Sequence, residues 1–211
     1  MILAVFLLVP MIGMSQAKIF TKKNKLTDIA VRTTKVVLTG NDALDAALRE
    51  EVSCRWRINA FEFCTAKDYE KLKTDNSFFF LKVDDSQDVH FLSYSRGGKK
   101  GDANALKEPI DIVSVPIGEK ESSGTEFIYL PAFIDILQSF AEEASKRDKI
   151  AYGGLPGFCN PRKKRPIFYD RKTADSLFVA GAPNTLVELI IGQYRMIFST
   201  DTHELHKFEK R

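Results

Sequence analysis

Segment 35–73 alternates short apolar runs with helical patterns, and this alternation constrains the fold more than any other feature of the sequence. Lys35 to Thr39 is a strand-like run that Gly40 ends, and apolar residues then recur at helical spacing from Leu44 to Val52. Ile58 to Cys64 alternates in the manner of a second strand. Because strands joined by a helix usually lie parallel with a right-handed crossover, the segment predicts an α/β fold.

The two helices of this segment begin at recognisable capping residues. Asn41 or Asp42 is predicted to cap the first helix, because a short polar side chain accepts hydrogen bonds from first-turn amides. Thr65 followed by Asp68 resembles a capping box and predicts a second helix directly after the second strand.

The middle of the chain is predicted to form antiparallel strands. The mainly apolar run from Ser77 to Val83 suits a central strand that is covered on both faces. Later strand-like runs have turn-rich stretches and no helical patterns between them, so antiparallel pairing is expected. These runs are Val89 to Ser95, Ile110 to Ile117 and Phe127 to Leu130. The predicted fold class is a mixed, mostly parallel α/β sheet with antiparallel central strands and flanking helices.

Pro131 is predicted to start an amphipathic helix that runs to about Lys149. A Gly/Pro-rich loop is predicted from Tyr152 to Pro166, and loops of about 12–15 residues are often functional. Leu177 to Lys210 then repeats the order strand, helix, strand, helix of segment 35–73. This similarity indicates a βαβα pseudo-repeat. The alternative is a chance similarity, which can occur in any α/β protein.

The amino-terminal stretch Met1 to Ala17 carries no charge, and a lysine-rich sequence begins at Lys18. Ile2 to Met14 has the length of a signal-peptide core, and Ser15 to Ala17 supplies small residues at the cleavage point. The basic start of a typical signal peptide is lacking. The structural alternative is a buried amino-terminal strand, although the run is longer than a typical strand. The prediction is a signal peptide at 1–17, a single α/β domain at 18–211, and a periplasmic or secreted location after cleavage near Ala17.

Composition and local patterns exclude several classes of protein. The chain has 31 basic and 28 acidic residues, a balance that does not favour nucleic acid as a partner. Pro10 and Gly13 interrupt an apolar run that is shorter than the roughly 20 residues of a membrane span. Gly153 to Gly157 lacks the preceding strand and the Lys-Ser/Thr pair of a phosphate loop. No nucleic-acid partner, no stable membrane span and no cofactor are predicted.

The strongest charge cluster of the sequence consists of Arg162, Lys163, Lys164 and Arg165. Behind an export leader such a cluster is expected to meet anionic lipid, glycan or an acidic partner. The structural alternative is a solvated loop. We therefore predict these four residues as a candidate binding site.

Cys64 is the candidate nucleophile, because it closes a predicted strand just before a helix N-terminus, where a thiolate is stabilised. The alternative is a structural thiol, since the sequence does not place any of the histidines beside it. Cys54 and Cys64 are expected to be buried thiols, too far apart along the intervening strand for a disulfide.

His203 and His206 are the candidate metal ligands. On a predicted final helix, their spacing of three residues would place both rings on one side. A zinc-protease motif has its histidines four residues apart, and no third ligand is evident. The alternative is a solvated terminal helix.

Two short stretches carry a family resemblance: Ala43 to Leu48 continuing through Trp56, and Phe61 to Cys64. With the order strand, long helix, short aromatic strand and immediate second helix, they resemble the amino-terminal α/β domain of TolB and the related domain of curli-secretion (CsgG-like) and penicillin-binding-protein-activator lipoproteins. They are also similar to uncharacterised exported proteins of Gram-negative bacteria. Those families act on envelope machinery through protein contacts, so the resemblance implies a binding role. The chain lacks their lipid-bearing cysteine.

The sequence therefore predicts an exported, noncatalytic binding or assembly module of the cell envelope. Its expected partner is an envelope protein or an anionic surface component. The alternative is a small hydrolase that uses Cys64 as nucleophile or a metal bound at His203 and His206.

Overall fold

The computed structural model describes residues 26–86, 88–98, 108–121, 124–160 and 165–211. This part of the chain contains five α-helices and two mixed β-sheets, so the predicted mixed α/β class is confirmed. The predicted signal peptide and its cleavage point lie outside the described residues, as do three members of the basic cluster.

Five strands form the first sheet. They are β1 (Thr33–Val37), β2 (Phe61–Cys64), β3 (Phe78–Asp85), β4 (Val89–Arg96) and β5 (Ile110–Glu119). Their order across the sheet is β2-β1-β3-β4-β5. β1 pairs parallel with both β2 and β3, whereas β3 with β4 and β4 with β5 pair antiparallel. The antiparallel pairing predicted for the middle of the chain is thus confirmed for these strands.

Two helices connect the parallel strands: α1 (Asp42–Arg55) and α2 (Ala66–Leu72). The Asn41 side chain accepts hydrogen bonds from two first-turn amides of α1, so Asn41 is the cap. Thr65 and Asp68 form the predicted capping box of α2. Both helix starts follow local side-chain chemistry, which is why the sequence located them.

α1 and α2 pack on opposite faces of the first sheet. α1 buries three apolar side chains in the same core cluster as Phe79 of β3. The next residue of that strand, Phe80, instead contacts the ring of Tyr69 on α2, with ring centroids 5.1 Å apart. Successive residues of a strand point to opposite faces, so the two helices cover different faces of the sheet. Within the sheet, β1 leads through α1 to β2 on one side, whereas β3 turns directly into β4 on the other side, so the connections after β1 and after β3 diverge. The carboxyl ends of these two strands therefore flank a crevice.

Four strands form the second sheet, in the order of their numbering: β6 (Ile167–Phe168), β7 (Leu186–Ile191), β8 (Tyr194–Ser199) and β9 (Leu205–Lys210). β6 and β7 pair parallel, and the other two pairings are antiparallel. The remaining helices are α3 (Leu130–Lys146), α4 (Asp148–Phe158) and α5 (Arg171–Val179). α3 confirms the helix predicted from Pro131 and lies in one apolar cluster with residues of both sheets.

The second βαβα unit predicted for 177–210 is wrong. The chain leaves α5 and forms three successive antiparallel strands, and β9 replaces the predicted final helix. Leu189 and Ile191 are buried while Ile190 between them is exposed, which is the period of a strand. Gly192 has a φ of 54° and supplies the left-handed residue that a two-residue hairpin needs.

Two further predictions need correction. The run 127–130 is not a strand, because a 3₁₀ turn over Thr125–Tyr129 leads into α3. The predicted loop 152–166 is helical up to Phe158, although Gly154, with a φ of 59°, interrupts the helix. Its glycines and Pro156 concealed the helical pattern. Among the described helices, none has the length and apolar character needed to cross a membrane.

Candidate functional site

A cleft of about 460 Å³ opens at the carboxyl ends of β1 and β3, and we call it the strand-end cleft. This volume lies within the range of small-molecule sites, roughly 300–1,000 Å³. Its apolar lining is contributed by the ends of β1 and β3, by α1 and α2, and by the turn before α3. The residues are Val37, Leu38, Leu44, Ala66, Val83 and Phe127.

The loop after β1 forms one wall of the cleft and is fixed by the Asp45 carboxylate. Asp45 accepts hydrogen bonds from the amide and hydroxyl of Thr39, at 2.7 and 2.8 Å, and from the Gly40 amide at 2.9 Å. Burial raises the pKa of Asp45, but these hydrogen bonds outweigh it and the pKa is lowered. Gly40 has a φ of 85°, a conformation that glycine adopts without strain. The wall that carries Thr39 and Asn41 is therefore held in one conformation.

Two pairs of an acidic and a basic side chain lie on the other side of the cleft, where β3 ends. Lys82 donates a hydrogen bond to Asp84 beside the Tyr69 ring. His90 Nδ1 lies 2.6 Å from Asp85 Oδ1, and these two residues face each other across β3 and β4. The Asp85 side chain is 62% exposed, so its carboxylate is accessible to a ligand.

A second depression of about 420 Å³ adjoins the cleft and shares three of its charged residues, Lys82, Asp84 and Asp85. It adds Asp111 of β5, an exposed carboxylate that forms no hydrogen bond or ion pair with any residue of the described ranges. Among the described residues, carboxylates therefore outnumber cationic side chains along the joined surface.

Cys64 lies where the sequence placed it, as the last residue of β2 before the capped start of α2. Burial raises the pKa of its thiol, and the charge of Lys35 only partly opposes this. Within the described structure no hydrogen bond joins Cys64 to a histidine. Cys54 is exposed in the last turn of α1, so the prediction that it is a buried thiol is wrong. Cys54, Cys64 and Cys159 are all free.

His203 and His206 do not share a face, because β9 and the turn before it replace the predicted helix. His203 has a φ of 53°, its Nδ1 lies 2.7 Å from Asp135 Oδ2, and its ring stacks on Phe178. His206 is buried, with Nδ1 2.7 Å from the carbonyl oxygen of Asn160. No group of three His, Cys, Asp or Glu side chains in the described ranges could hold a metal. The structure therefore does not bring the two candidate ligands together.

Ser199 forms a buried pair with His206 that the sequence did not reveal. Its Oγ lies 3.1 Å from His206 Nε2. The Asn160 carbonyl accepts from Nδ1, so in the neutral imidazole Nε2 accepts from the Ser199 hydroxyl. Arg165 donates to the same hydroxyl at 3.0 Å. Ser199 has no exposed surface, so the geometry describes a structural network.

Arg165 belongs to the predicted basic cluster, but its side chain is used by the fold. It is 14% exposed, donates to Ser199 and lies 3.7 Å from Asp201 Oδ1. The other three members of the cluster, Arg162, Lys163 and Lys164, lie outside the described residues. A binding role for them stays a prediction.

Comparisons with protein-family models, with curated proteins and with solved structures found no match. The fold and the site define the chain as a mixed α/β protein with an open cleft at the ends of its parallel strands. The cleft is lined by charged pairs on one side and by apolar side chains on the other.

Proposed function

We propose that the chain is an exported, noncatalytic binding module of the cell envelope and that the strand-end cleft is its binding site. The observation that carries this proposal is the position of the cleft, at the carboxyl ends of β1 and β3 where the connections diverge. Open α/β sheets bind their ligands at such positions. The uncharged segment 1–17 and the resemblance of segment 43–64 to envelope proteins support export and a protein partner.

The state of the reactive side chains supports binding rather than catalysis. A nucleophilic cysteine needs a lowered pKa, whereas burial raises the pKa of the Cys64 thiol. His203 and His206 are held by separate partners, Asp135 and the Asn160 carbonyl. In the cleft itself Lys82 is paired with Asp84 and His90 lies against Asp85, with no hydroxyl or thiol bonded to His90 in the described structure.

A tryptophan that fills the cleft tests the proposal. Ala66 is exposed and lines the cleft at the start of α2, so Ala66→Trp introduces a large ring there without changing the core. Lys67→Trp is the matched control, because Lys67 is exposed and outside the lining. Each protein, starting at Lys18, is used to capture partners from an envelope extract of the producing cells, with quantification by mass spectrometry.

We expect the wild-type protein and Lys67→Trp to capture the same amount of an envelope protein. Ala66→Trp should reduce the captured amount about tenfold or more, as for loss of a central contact. Equal retention by all three proteins contradicts the cleft as the site, and retention by none contradicts a binding module. Mass spectrometry of the native protein tests export separately. The expected first residue is Lys18, and an intact Met1 contradicts the signal peptide.

A further inference from the structure

We propose that the strand-end cleft binds a lysine side chain of the partner protein. This inference rests on the proposed function, because it names the chemical group that the cleft accepts.

The described charged residues of the cleft and the adjoining depression favour a cation. Lys82 is the fixed positive charge, and Asp84, Asp85 and Asp111 are carboxylates. Lys82 is already paired with Asp84, which leaves Asp85 as the available carboxylate of the cleft itself, with Asp111 in the adjoining depression. His90 compensates Asp85 only when its imidazole is protonated. An anionic ligand would meet uncompensated negative charge at this surface.

The surroundings of Tyr69 indicate the same sign of potential. Burial, and then nearby carboxylates beginning with that of Asp84, raise the pKa of the Tyr69 phenol to about 12. The ammonium group of Lys82 lies 5.7 Å from the centre of the Tyr69 ring and pairs with Asp84. The chain therefore already places one lysine ammonium group in this environment.

The open hydrogen-bonding positions favour lysine over arginine. One carboxylate oxygen of Asp85, Oδ1, is occupied by His90, which leaves Oδ2 as the accessible acceptor. An arginine fork binds best to both oxygens of a carboxylate, whereas an ammonium group needs a single acceptor at each contact. With its Oδ1 held by His90, the Asp85 carboxylate is therefore better suited to bind a lysine than an arginine.

The apolar part of the cleft suits the aliphatic stem of the same side chain. Lysine buries its methylene groups against apolar surface while its ammonium group reaches polar partners. Leu38, Leu44, Val83 and Phe127 provide that apolar surface opposite the charged pairs. A lysine side chain therefore matches both the charged side and the apolar side of the cleft.

The test is an NMR titration of the mature protein with capped amino acids: Nα-acetyl-lysine N-methylamide, and the corresponding norleucine and arginine compounds. We expect the lysine compound to shift the amide signals of Thr39 and Asp85 saturably and to bind about tenfold more tightly than norleucine, as for a charge-assisted hydrogen bond. Asp85→Asn should remove this preference. Asp88→Asn, an exposed carboxylate outside the cleft lining, should retain it.

Equal binding of lysine and norleucine, or tighter binding of arginine, overturns the lysine assignment and leaves the cleft as a binding site. Cadaverine, a free diamine, is titrated in the same way. If it binds more tightly than capped lysine, the amine does not come from a partner protein. If none of these compounds shifts signals at the cleft, the lysine assignment fails. The proposed function fails with it only if Ala66→Trp also leaves partner capture unchanged.

Discussion

Ser199 shows how one hydroxyl can connect separate segments of the chain. It donates to His206 on β9 and accepts from Arg165, while the same histidine donates to the Asn160 carbonyl. Ser199 and His206 are buried and the Arg165 side chain is largely removed from water, so their hydrogen bonds replace ones that the unfolded chain makes with solvent.

Ser199→Ala is expected to lower the free energy of unfolding by about 1–3 kcal/mol, because it removes the buried hydroxyl that bonds both His206 Nε2 and the Arg165 guanidinium. Urea denaturation measures the change. The control is Ser176→Ala, since the exposed Ser176 hydroxyl bonds only a carbonyl of its own helix and should change stability by less than about 0.5 kcal/mol. Equal losses in the two variants would contradict a buried network.

Thiol reactivity distinguishes a structural Cys64 from a nucleophile. Burial raises the pKa of Cys64, and it raises that of Cys159 to about 11, so both thiols hold less thiolate at pH 8 than a free cysteine. Cys54 is exposed. Iodoacetamide labelling followed by peptide mass mapping should therefore modify Cys54 first and Cys159 last. Fastest modification of Cys64 would instead favour the hydrolase alternative.

The sequence predicted the secondary structure correctly where a local pattern determines it. The caps at Asn41 and Thr65 set the starts of α1 and α2, and the amphipathic pattern after Pro131 set α3. The run 186–191 carried no such signal, since a short apolar run fits a buried helix as well as a strand. The left-handed backbone of His203 likewise has no sequence signature.

The cleft was not predictable from the sequence, because it depends on strand order. Thr39 follows β1 and Asp85 ends β3, and only the parallel pairing of these strands brings them to one edge. Several strand orders are compatible with the same pattern of helices and strands. The sequence did indicate the importance of strand ends, but at Cys64 of β2.

Gly192 tests the hairpin that replaces the predicted helix. Gly192→Ala places a side chain at a φ of 54°, and its Cβ would lie 2.8 Å from Val89 Cγ2 on β4. We expect a loss of about 2–4 kcal/mol in urea denaturation, from left-handed strain and overpacking together. Gly153→Ala in α4 is the control, because its Cβ meets nothing within 4 Å and should be neutral or stabilising. A neutral Gly192→Ala would contradict this hairpin.

The two sheets are joined by polar contacts as well as by the shared core. The Gly192 amide donates to Glu119 Oε1 at 2.8 Å, and Phe91 of β4 contacts Tyr194 of β8 edge to face. His203, in the turn before β9, bonds Asp135 of α3. The second sheet therefore supports the elements that hold the strand-end cleft, although its own residues do not line the cleft.

Asp135 makes this connection sensitive to pH. Burial raises its pKa, but the hydrogen bond from His203 and the charges of Arg55 and Arg57 outweigh it, so the pKa is lowered. The folded protein then binds fewer protons than the unfolded chain, and the stability contributed by the carboxylate is lost as pH falls through the folded-state pKa. This contribution is complete above the ordinary aspartate pKa of about 4.

Asp135→Asn is expected to lower the unfolding free energy by about 1–3 kcal/mol at pH 7, because it removes the charged partner of His203 and Arg57. The difference in unfolding free energy between Asp135→Asn and the wild-type protein should become smaller as the pH is lowered from about 5 to about 2, because the native carboxylate then becomes neutral as well. Urea denaturation at a series of pH values measures it, with Asp88→Asn as an exposed control. A difference that stays constant over this range would contradict the role of the Asp135 charge in joining the sheets.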